Sequence, residues 1–320
     1  MSPIRAIGAW CANSPPRRGR TRTRFQLVGD VLLINHERHP MEPDATEFSA
    51  GLAVYDVSKD PTDPQLISFM PMTGDDVHVG VHRMTFWEPP YAYASASDDG
   101  FTDQFLMIID LSDPANPKEA GRFWLPGTNT AAGERPTWGY DRRFGCHHAL
   151  VDGDRAYCGW WDGDLVIVDI SDVGSPRLVS HLDLGPEVSG ATHTALPIFG
   201  RDLVILTDES MAENCEETFK HIQAIDISDE KNPREISRFP VPEGDFCQVG
   251  GRFGAHNLHE PRPGSLRNQS EIYTSYYNLL QRRRPGGRHL RRPRPSGSCV
   301  VHPRLPAESA SNPDRRRLCP

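Results

Sequence analysis

One pattern of apolar and polar positions recurs four times along the chain. Each copy is a short apolar run that ends in Asp, an apolar residue and Ser, followed by a Pro-bearing turn and a second apolar run. The copies occupy residues 51–72, 105–127, 165–186 and 222–243. Their aspartates are spaced 54, 59 and 57 residues apart, at Asp56, Asp110, Asp169 and Asp226. A period of this length is typical of a repeat architecture.

The repeat unit predicts about four antiparallel strands. Residues 165–169 are rich in β-branched residues and bounded by turn residues, and residues 177–184 alternate like a half-exposed outer strand. Upstream, residues 148–151 and 155–161 form a further strand pair around an Asp-Gly-Asp turn. Four-stranded units repeated radially build a β-propeller. A β-solenoid has shorter repeats, and a β-sandwich would not repeat one pattern four times. We expect the repeat aspartates to form the turn after the third strand.

The repeat resembles that of the LVIVD-repeat proteins, a bacterial β-propeller family, because residues 165–169 read LVIVD. The resemblance covers about residues 26–278 and implies a ring of about seven blades. It implies no particular reaction. The chain shows four full repeats and a strand pair of a fifth at residues 271–278. We therefore predict an all-β, incomplete propeller of about four and a half blades.

Charge divides the sequence into three segments. Residues 1–24 contain six Arg and no acidic residue, and residues 279–320 contain eleven Arg with only Glu308 and Asp314. The intervening propeller segment, residues 25–278, has 18 basic and 41 acidic residues. The C-terminal segment lacks apolar periodicity, so we expect it to be disordered.

The abrupt change of composition at both ends suggests sequence read out of frame, a hypothesis that sequencing the coding DNA tests. Its alternatives are a genuine basic tail and a nucleic-acid arm. The C-terminal tail has no interleaved aromatic residues and the propeller segment is acidic, so we predict no nucleic-acid partner. A defective chain without function is a further alternative.

Histidines recur where each repeat begins its innermost strand. Because innermost strands line the channel of a propeller, we expect these imidazoles to converge. Several neutral imidazoles can bind Zn²⁺, Cu²⁺ or Fe²⁺. Packing between blades and hydrogen bonding to a substrate are the alternatives. The predicted metal ligands are His82, His148, His193, His256 and His259. His147 should face the side of its strand opposite His148.

Three carboxylates lie near the same end of the predicted strands. Glu260 follows the last histidine, and Asp208 with Glu209 follows the strand at 203–207. Each is a candidate catalytic residue, either orienting an imidazole or acting as a general base. A solvated loop is the alternative for Asp208 and Glu209.

Two classes of function follow. The first is a metal-dependent enzyme with hydrolytic or oxidative chemistry on a small molecule, and the second is a non-catalytic scaffold for protein partners.

No apolar run is long enough for a membrane span, and no signal-peptide core is evident, so we expect a cytoplasmic protein without a membrane partner. Secretion stays open as an alternative. Cys215 and Cys247 lie in loops that could meet, and a disulfide there would require an oxidising compartment.

Overall fold

A computed structural model describes residues 24–38, 49–74, 79–139, 141–198, 200–239, 244–245, 247–258 and 260. All of them belong to one compact unit that spans residues 1–282. The predicted tails, apart from Arg24, lie outside the described residues, as do the strand pair at 271–278 and His259.

The described residues form four antiparallel, four-stranded sheets whose strands are paired in chain order. The first contains β1 (Phe25–Val28), β2 (Val31–His36), β3 (Gly51–Asp56) and β4 (Gln65–Pro71). The second contains β5 (Val81–Thr85), β6 (Tyr91–Ala96), β7 (Phe105–Asp110) and β8 (Lys118–Phe123). The third contains β9 (His148–Asp152), β10 (Arg155–Gly159), β11 (Leu165–Asp169) and β12 (Arg177–Leu182). The fourth contains β13 (Thr192–Pro197), β14 (Leu203–Asp208), β15 (Ile222–Asp226) and β16 (Arg234–Arg238).

Packing between neighbouring sheets explains why the third strands are apolar on both faces. In β11, Leu165 and Ile167 join a cluster with the fourth sheet. Val166 and Val168 join a second cluster with the second sheet. Since successive side chains of a strand point to opposite faces, a strand buried on both faces reads as a continuous apolar run.

The repeat aspartates form the turns predicted from the sequence. Each is the last residue of a third strand, and its Oδ1 accepts the backbone N–H of the Ser two residues later. The distances are 2.7 Å at Asp56, 2.8 Å at Asp110, 2.9 Å at Asp169 and 2.9 Å at Asp226. Each sheet also has a register shift between its third and fourth strands, just before the aspartate. The outer half of every sheet is therefore built alike.

The first strands bring the sheets together at their inner edges. β5 contacts β9, and β9 contacts β13. No ladder pairs the first sheet with the fourth among the described strands, so these four sheets are not closed into a ring. The predicted fold class, an all-β propeller of four-stranded blades that is incomplete, is confirmed.

Two further observations concern the described residues. Cys215 and Cys247 form a disulfide with their Cα atoms 5.3 Å apart, which confirms that these loops meet. A disulfide is typical of oxidising compartments, and the cytoplasmic location stays a prediction. No helix in this part of the chain has the length and apolar character needed to cross a membrane.

Candidate functional site

Four imidazole rings lie in a row along the inner edges of the second, third and fourth sheets. His82 is on β5, His147 precedes β9, His193 is on β13, and His256 follows the fourth sheet. Successive ring centroids are 4.5, 4.0 and 4.4 Å apart. The structure thus brings His82, His193 and His256 together, as expected, but the ring between His82 and His193 belongs to His147 and not to His148.

Hydrogen bonds define which nitrogens of His82 and His147 carry protons. Nδ1 of His147 donates to the carbonyl oxygen of His193 at 3.1 Å, which leaves its Nε2 as a lone pair. Nδ1 of His82 lies 2.8 and 2.9 Å from the two carboxylate oxygens of Glu37, so it donates there. The Nε2 atoms of His82 and His147 face each other at 2.9 Å. Two lone pairs in this arrangement repel unless a proton or a metal ion is shared.

The neighbouring histidine also presents a lone pair from Nε2. The Thr194 hydroxyl donates to the carbonyl oxygen of His256 at 3.2 Å, so its oxygen accepts the Nδ1 proton of His193 at 2.7 Å. Nε2 of His193 then accepts from Nη2 of Arg83 at 2.7 Å. The same guanidinium nitrogen donates to Asn257 Oδ1 at 2.6 Å. Arg83 therefore joins the histidine row to the last described segment.

Burial keeps these imidazoles neutral. It lowers the pKa of His82, an effect that the Glu37 carboxylate opposes. It lowers the pKa of His147 and His193 well below the usual value, and the nearby Arg83 charge adds to the effect. Burial also lowers the pKa of Arg83 to about 9. Neutral imidazoles are the form of histidine that binds metal ions.

His147, His193 and Glu209 could together hold a metal ion. One potential ligand atom of each lies within 4.8 Å of those of the other two. Two imidazoles and a carboxylate form a common site for zinc and non-haem iron. Two nitrogens bound to one tetrahedral zinc ion lie about 3.3 Å apart, so a metal ion would draw these side chains inward. Glu209 is half-buried, 3.1 Å from Nη1 of Arg252, and is not a solvated loop residue.

His148 and Glu260 lie together beside the row. Nδ1 of His148 is 3.5 Å from Oε1 of Glu260, and its Nε2 is 3.3 Å from the Thr85 hydroxyl. Both residues line a cavity of about 220 Å³ that also contacts Arg83. This pair is therefore adjacent to the three-residue group and outside it.

Asp208 belongs to a different, fully buried cluster. Its Oδ1 is 2.7 Å from the Thr192 hydroxyl, and Asp164 Oδ1 is 3.0 Å from the same hydroxyl. Burial raises the pKa of Asp208 to about 7, with a further contribution from the Asp164 charge. Ser189 donates to its second oxygen at 3.1 Å. Asp208 is the last residue of β14 and pairs with Thr192 at the start of β13, so it is not a solvated loop residue.

Sequence reasoning did not identify three residues of the site. His147 was assigned to the opposite face of its strand. Arg83 and Glu37 are 8% and 2% exposed, and a charged residue within or directly after a buried strand is the signal that could have marked them. Glu37 directly follows the apolar strand β2, and Arg83 lies within β5 between His82 and Met84.

Known sequences support the repeat assignment. The LVIVD repeat matches residues 91–124 and 149–183, which span β6 to β8 and most of the third sheet. No curated protein matches the chain.

Several solved structures show a distant likeness. A computationally designed protein, Ika8, is 10% identical with a TM-score of 0.40, over 68% of this chain and 49% of its own. A candidate 6-phosphogluconolactonase from Bacteroides fragilis is 11% identical with a TM-score of 0.44, over 69% and 58%. A hypothetical selenium-binding protein from Sulfolobus tokodaii is 12% identical with a TM-score of 0.38, over 69% and 67%. The chain spans about half the length of the first and less than two thirds of the second.

The sequence match and the sheet geometry agree on the building unit. Both matched segments fall within single four-stranded sheets that carry the repeated aspartate turn. The chain is thus a β-propeller whose second and third blades are LVIVD repeats.

Proposed function

We propose that the inner histidines hold a divalent metal ion, zinc in the first instance, and that the protein is a hydrolase acting on a small molecule. The observation that carries this proposal is the pair of Nε2 atoms of His82 and His147 at 2.9 Å. Burial lowers the pKa of both imidazoles, so a shared proton is disfavoured near neutral pH. A metal ion beside these nitrogens removes the repulsion between their lone pairs.

The chain's own residues would hold the ion as follows. His147 and His193 present Nε2 lone pairs because their Nδ1 protons are donated to a backbone carbonyl and to Thr194. Glu209 supplies a carboxylate oxygen and offsets part of the charge of the ion. Glu37 orients His82 in the way that carboxylates orient metal-binding imidazoles. His82 lies outside this three-residue group and contacts it through His147, with 2.9 Å between their Nε2 atoms, so it would join the donor set only as the side chains draw in around the ion.

The guanidinium of Arg83 opposes metal binding at His193. Its Nη2 donates to the same His193 nitrogen that would bind the ion, so guanidinium and metal compete for one lone pair. A nearby cation is also unfavourable for a second cation. Three carboxylates, those of Glu260, Glu209 and Glu37, favour the charged form of Arg83 and would offset part of this repulsion.

A bound divalent ion supplies Lewis-acid chemistry, polarising a carbonyl or phosphoryl oxygen of the substrate. Glu260 would accept a proton from an attacking water, a role supported by its position in the lining of the adjoining cavity.

The test is elemental analysis of the purified full chain beside a His147→Ala, His193→Ala variant. We expect about one equivalent of zinc in the parent and none in the variant. The matched control is His181→Ala, because His181 lies on the outer strand β12 and is exposed. Copper or iron in place of zinc would redirect the proposal to oxidative chemistry. Absence of metal from a chain with cooperative thermal unfolding would reject it.

The alternative function, a non-catalytic scaffold, is favoured by apolar side chains on the outer strands. Leu66 on β4, Leu178 on β12 and Ile236 on β16 are 59%, 47% and 54% exposed. Single exposed apolar residues are common in monomeric proteins, so this observation is weaker than the histidine geometry. A metal-free, folded chain that copurifies with one stoichiometric partner would favour the scaffold.

A further inference from the structure

A second cavity, of about 250 Å³, lies where the turns that follow β5 and β9 meet. Asp152, the last residue of β9, is in its lining and comes four residues after His148. Four residues of a strand span about 13 Å. The cavity is therefore a site separate from the row of histidines.

Two tyrosine rings line this cavity. Tyr91 and Tyr93 are alternate residues of β6, so their side chains lie on the same face of the strand. Both are half-buried and pack at the edge of the apolar cluster between the second and third sheets. No arginine or lysine of the described residues lies over either ring. Aromatic rings that line a cavity in this way can bind a cation from solution.

Two carboxylates, those of Glu88 and Asp152, also line the cavity. Both residues are exposed, and neither carboxylate forms an ion pair or a hydrogen bond within the part of the chain that the structure describes. The described lining includes no lysine, arginine or histidine. Two negative charges therefore lie at the cavity without a positive charge in its lining to balance them.

The charge of Glu88 acts on two other groups of the cavity. Burial raises the pKa of Asp152, and the Glu88 charge adds to this effect. Burial likewise raises the pKa of Tyr93 to about 12, with further contributions from Tyr91 and Glu88. A nearby negative charge raises the pKa of an acid because it disfavours a second anion. Glu88 thus lies close to both groups, and one cation could interact with all three.

The size and lining of the cavity restrict the kind of cation. Its volume is below the range of about 300–1,000 Å³ for drug-sized ligands, so the occupant must be small. A metal ion would use the carboxylates and leave the tyrosine rings without a role. A quaternary ammonium ion has an apolar surface of methyl groups that fits aromatic rings, and it carries a positive charge.

We infer that this cavity binds a small quaternary ammonium ion. Its methyl groups pack against the rings of Tyr91 and Tyr93, and its charge is balanced by Glu88 and Asp152. The site is independent of the proposed metal centre, because its lining contains none of the proposed metal ligands.

The experiment is calorimetric titration of the full chain with three probes. Choline is the quaternary ammonium ion, dimethylbutanol is its neutral isostere with carbon in place of nitrogen, and calcium is a cation that binds carboxylates alone. We expect choline to bind about tenfold more tightly than dimethylbutanol. We also expect choline to bind more tightly than calcium.

Variants test the two halves of the site separately. Tyr91→Leu should weaken choline binding about three- to tenfold, whereas Tyr91→Phe keeps the ring and should change it less than about twofold. Asp152→Asn should weaken it about threefold, the effect of losing an exposed ion pair. The matched control is Asp202→Asn, an exposed carboxylate in the turn between β13 and β14, which should leave choline binding unchanged.

Thermal unfolding of each variant shows whether it is folded. Equal binding of choline and dimethylbutanol would overturn the inference, because the cavity would then be apolar and indifferent to charge. Tighter binding of calcium than of choline would make it a metal site and would overturn the inference too. So would unchanged affinity in Asp152→Asn, or a folded parent that binds no choline. Since Asp152 is exposed, its variant keeps the test decisive even if Tyr91→Leu does not fold.

Discussion

The outer turn of each sheet repeats the same hydrogen bond four times, whereas the inner strands carry different side chains at matching positions. Asp169 and its three counterparts each hold a Ser N–H at 2.7 to 2.9 Å. On the inner strands, β5 carries a histidine and an arginine, β13 a histidine, and β1 no histidine at all. Repetition therefore maintains the scaffold at the outer edge, and the chemistry resides where the repeats have diverged.

The largest expected loss of stability comes from truncating a residue buried between two sheets of the scaffold. Ile108 on β7 is fully buried between the second and third sheets. We expect Ile108→Ala to lower the free energy of unfolding by about 3–5 kcal/mol, through lost burial and a cavity, as measured by urea denaturation. Leu178→Ala, at an exposed position of β12, should change it by less than about 0.5 kcal/mol. Equal effects at the two positions would contradict the packing of the sheets.

The fourth sheet has a covalent link among its loops. The Cys215–Cys247 disulfide closes a loop of 32 residues. Removing it with Cys215→Ser, Cys247→Ser should cost about 3–4 kcal/mol, because the unfolded chain gains conformational freedom. Thermal unfolding with and without reductant gives the measurement. An unchanged melting temperature, with the disulfide verified by mass spectrometry, would show that these loops are already ordered without the link.

The contributions of a buried and a half-buried carboxylate to folding stability should change with pH in opposite directions. Burial raises the pKa of Asp164 to about 6, whereas hydrogen bonds from Ser228 and Arg234 lower that of the half-buried Asp226 to about 2. The folded state holds the Asp164 proton more tightly, so that stability is full below about pH 4 and is lost as pH rises through 6. The loss amounts to about 2–3 kcal/mol. The Asp226 contribution is instead lost as pH falls towards 2.

Urea denaturation at pH 4.5 and 7.5 checks the sign. Asp164→Asn should reduce the decline, because Asn is neutral and tolerates the left-handed backbone at this position, where φ is 54°. The neighbouring Asp208, whose pKa burial raises to about 7, should keep its own share of the decline. Asp226→Asn should leave the decline in place. A decline of unchanged size in Asp164→Asn would assign the proton to another group.

The smallest expected effect concerns the residue that orients a histidine of the proposed metal site. Glu37 orients His82 from another sheet, with its carboxylate 2.8 Å from Nδ1. We expect Glu37→Gln to weaken zinc binding about 10–100-fold while the fold persists, since an amide orients the imidazole less strongly. Competition against a chromophoric chelator measures this, with Glu235→Gln on β16 as the control. Identical affinities would show that Glu37 only stabilises the fold.

The outer half of the fold could be predicted because one pattern repeats, so each copy reinforces the others. His82, His193 and His256 were found in the same way. Choosing between His147 and His148 was harder, because alternation says that they face opposite sides and does not say which side meets His82. Glu37 and Arg83 act through partners in other sheets, 45 and 110 residues away. No local pattern records such contacts.

Zinc titration of the chelator-treated full chain, beside His147→Ala and His148→Ala, tests the central claim most directly. The geometry predicts about one bound equivalent in the parent and in His148→Ala, and none in His147→Ala. A folded parent that binds no stoichiometric zinc would contradict the claim. So would loss of binding in His148→Ala with retention in His147→Ala, because the 2.9 Å contact to His82 belongs to His147.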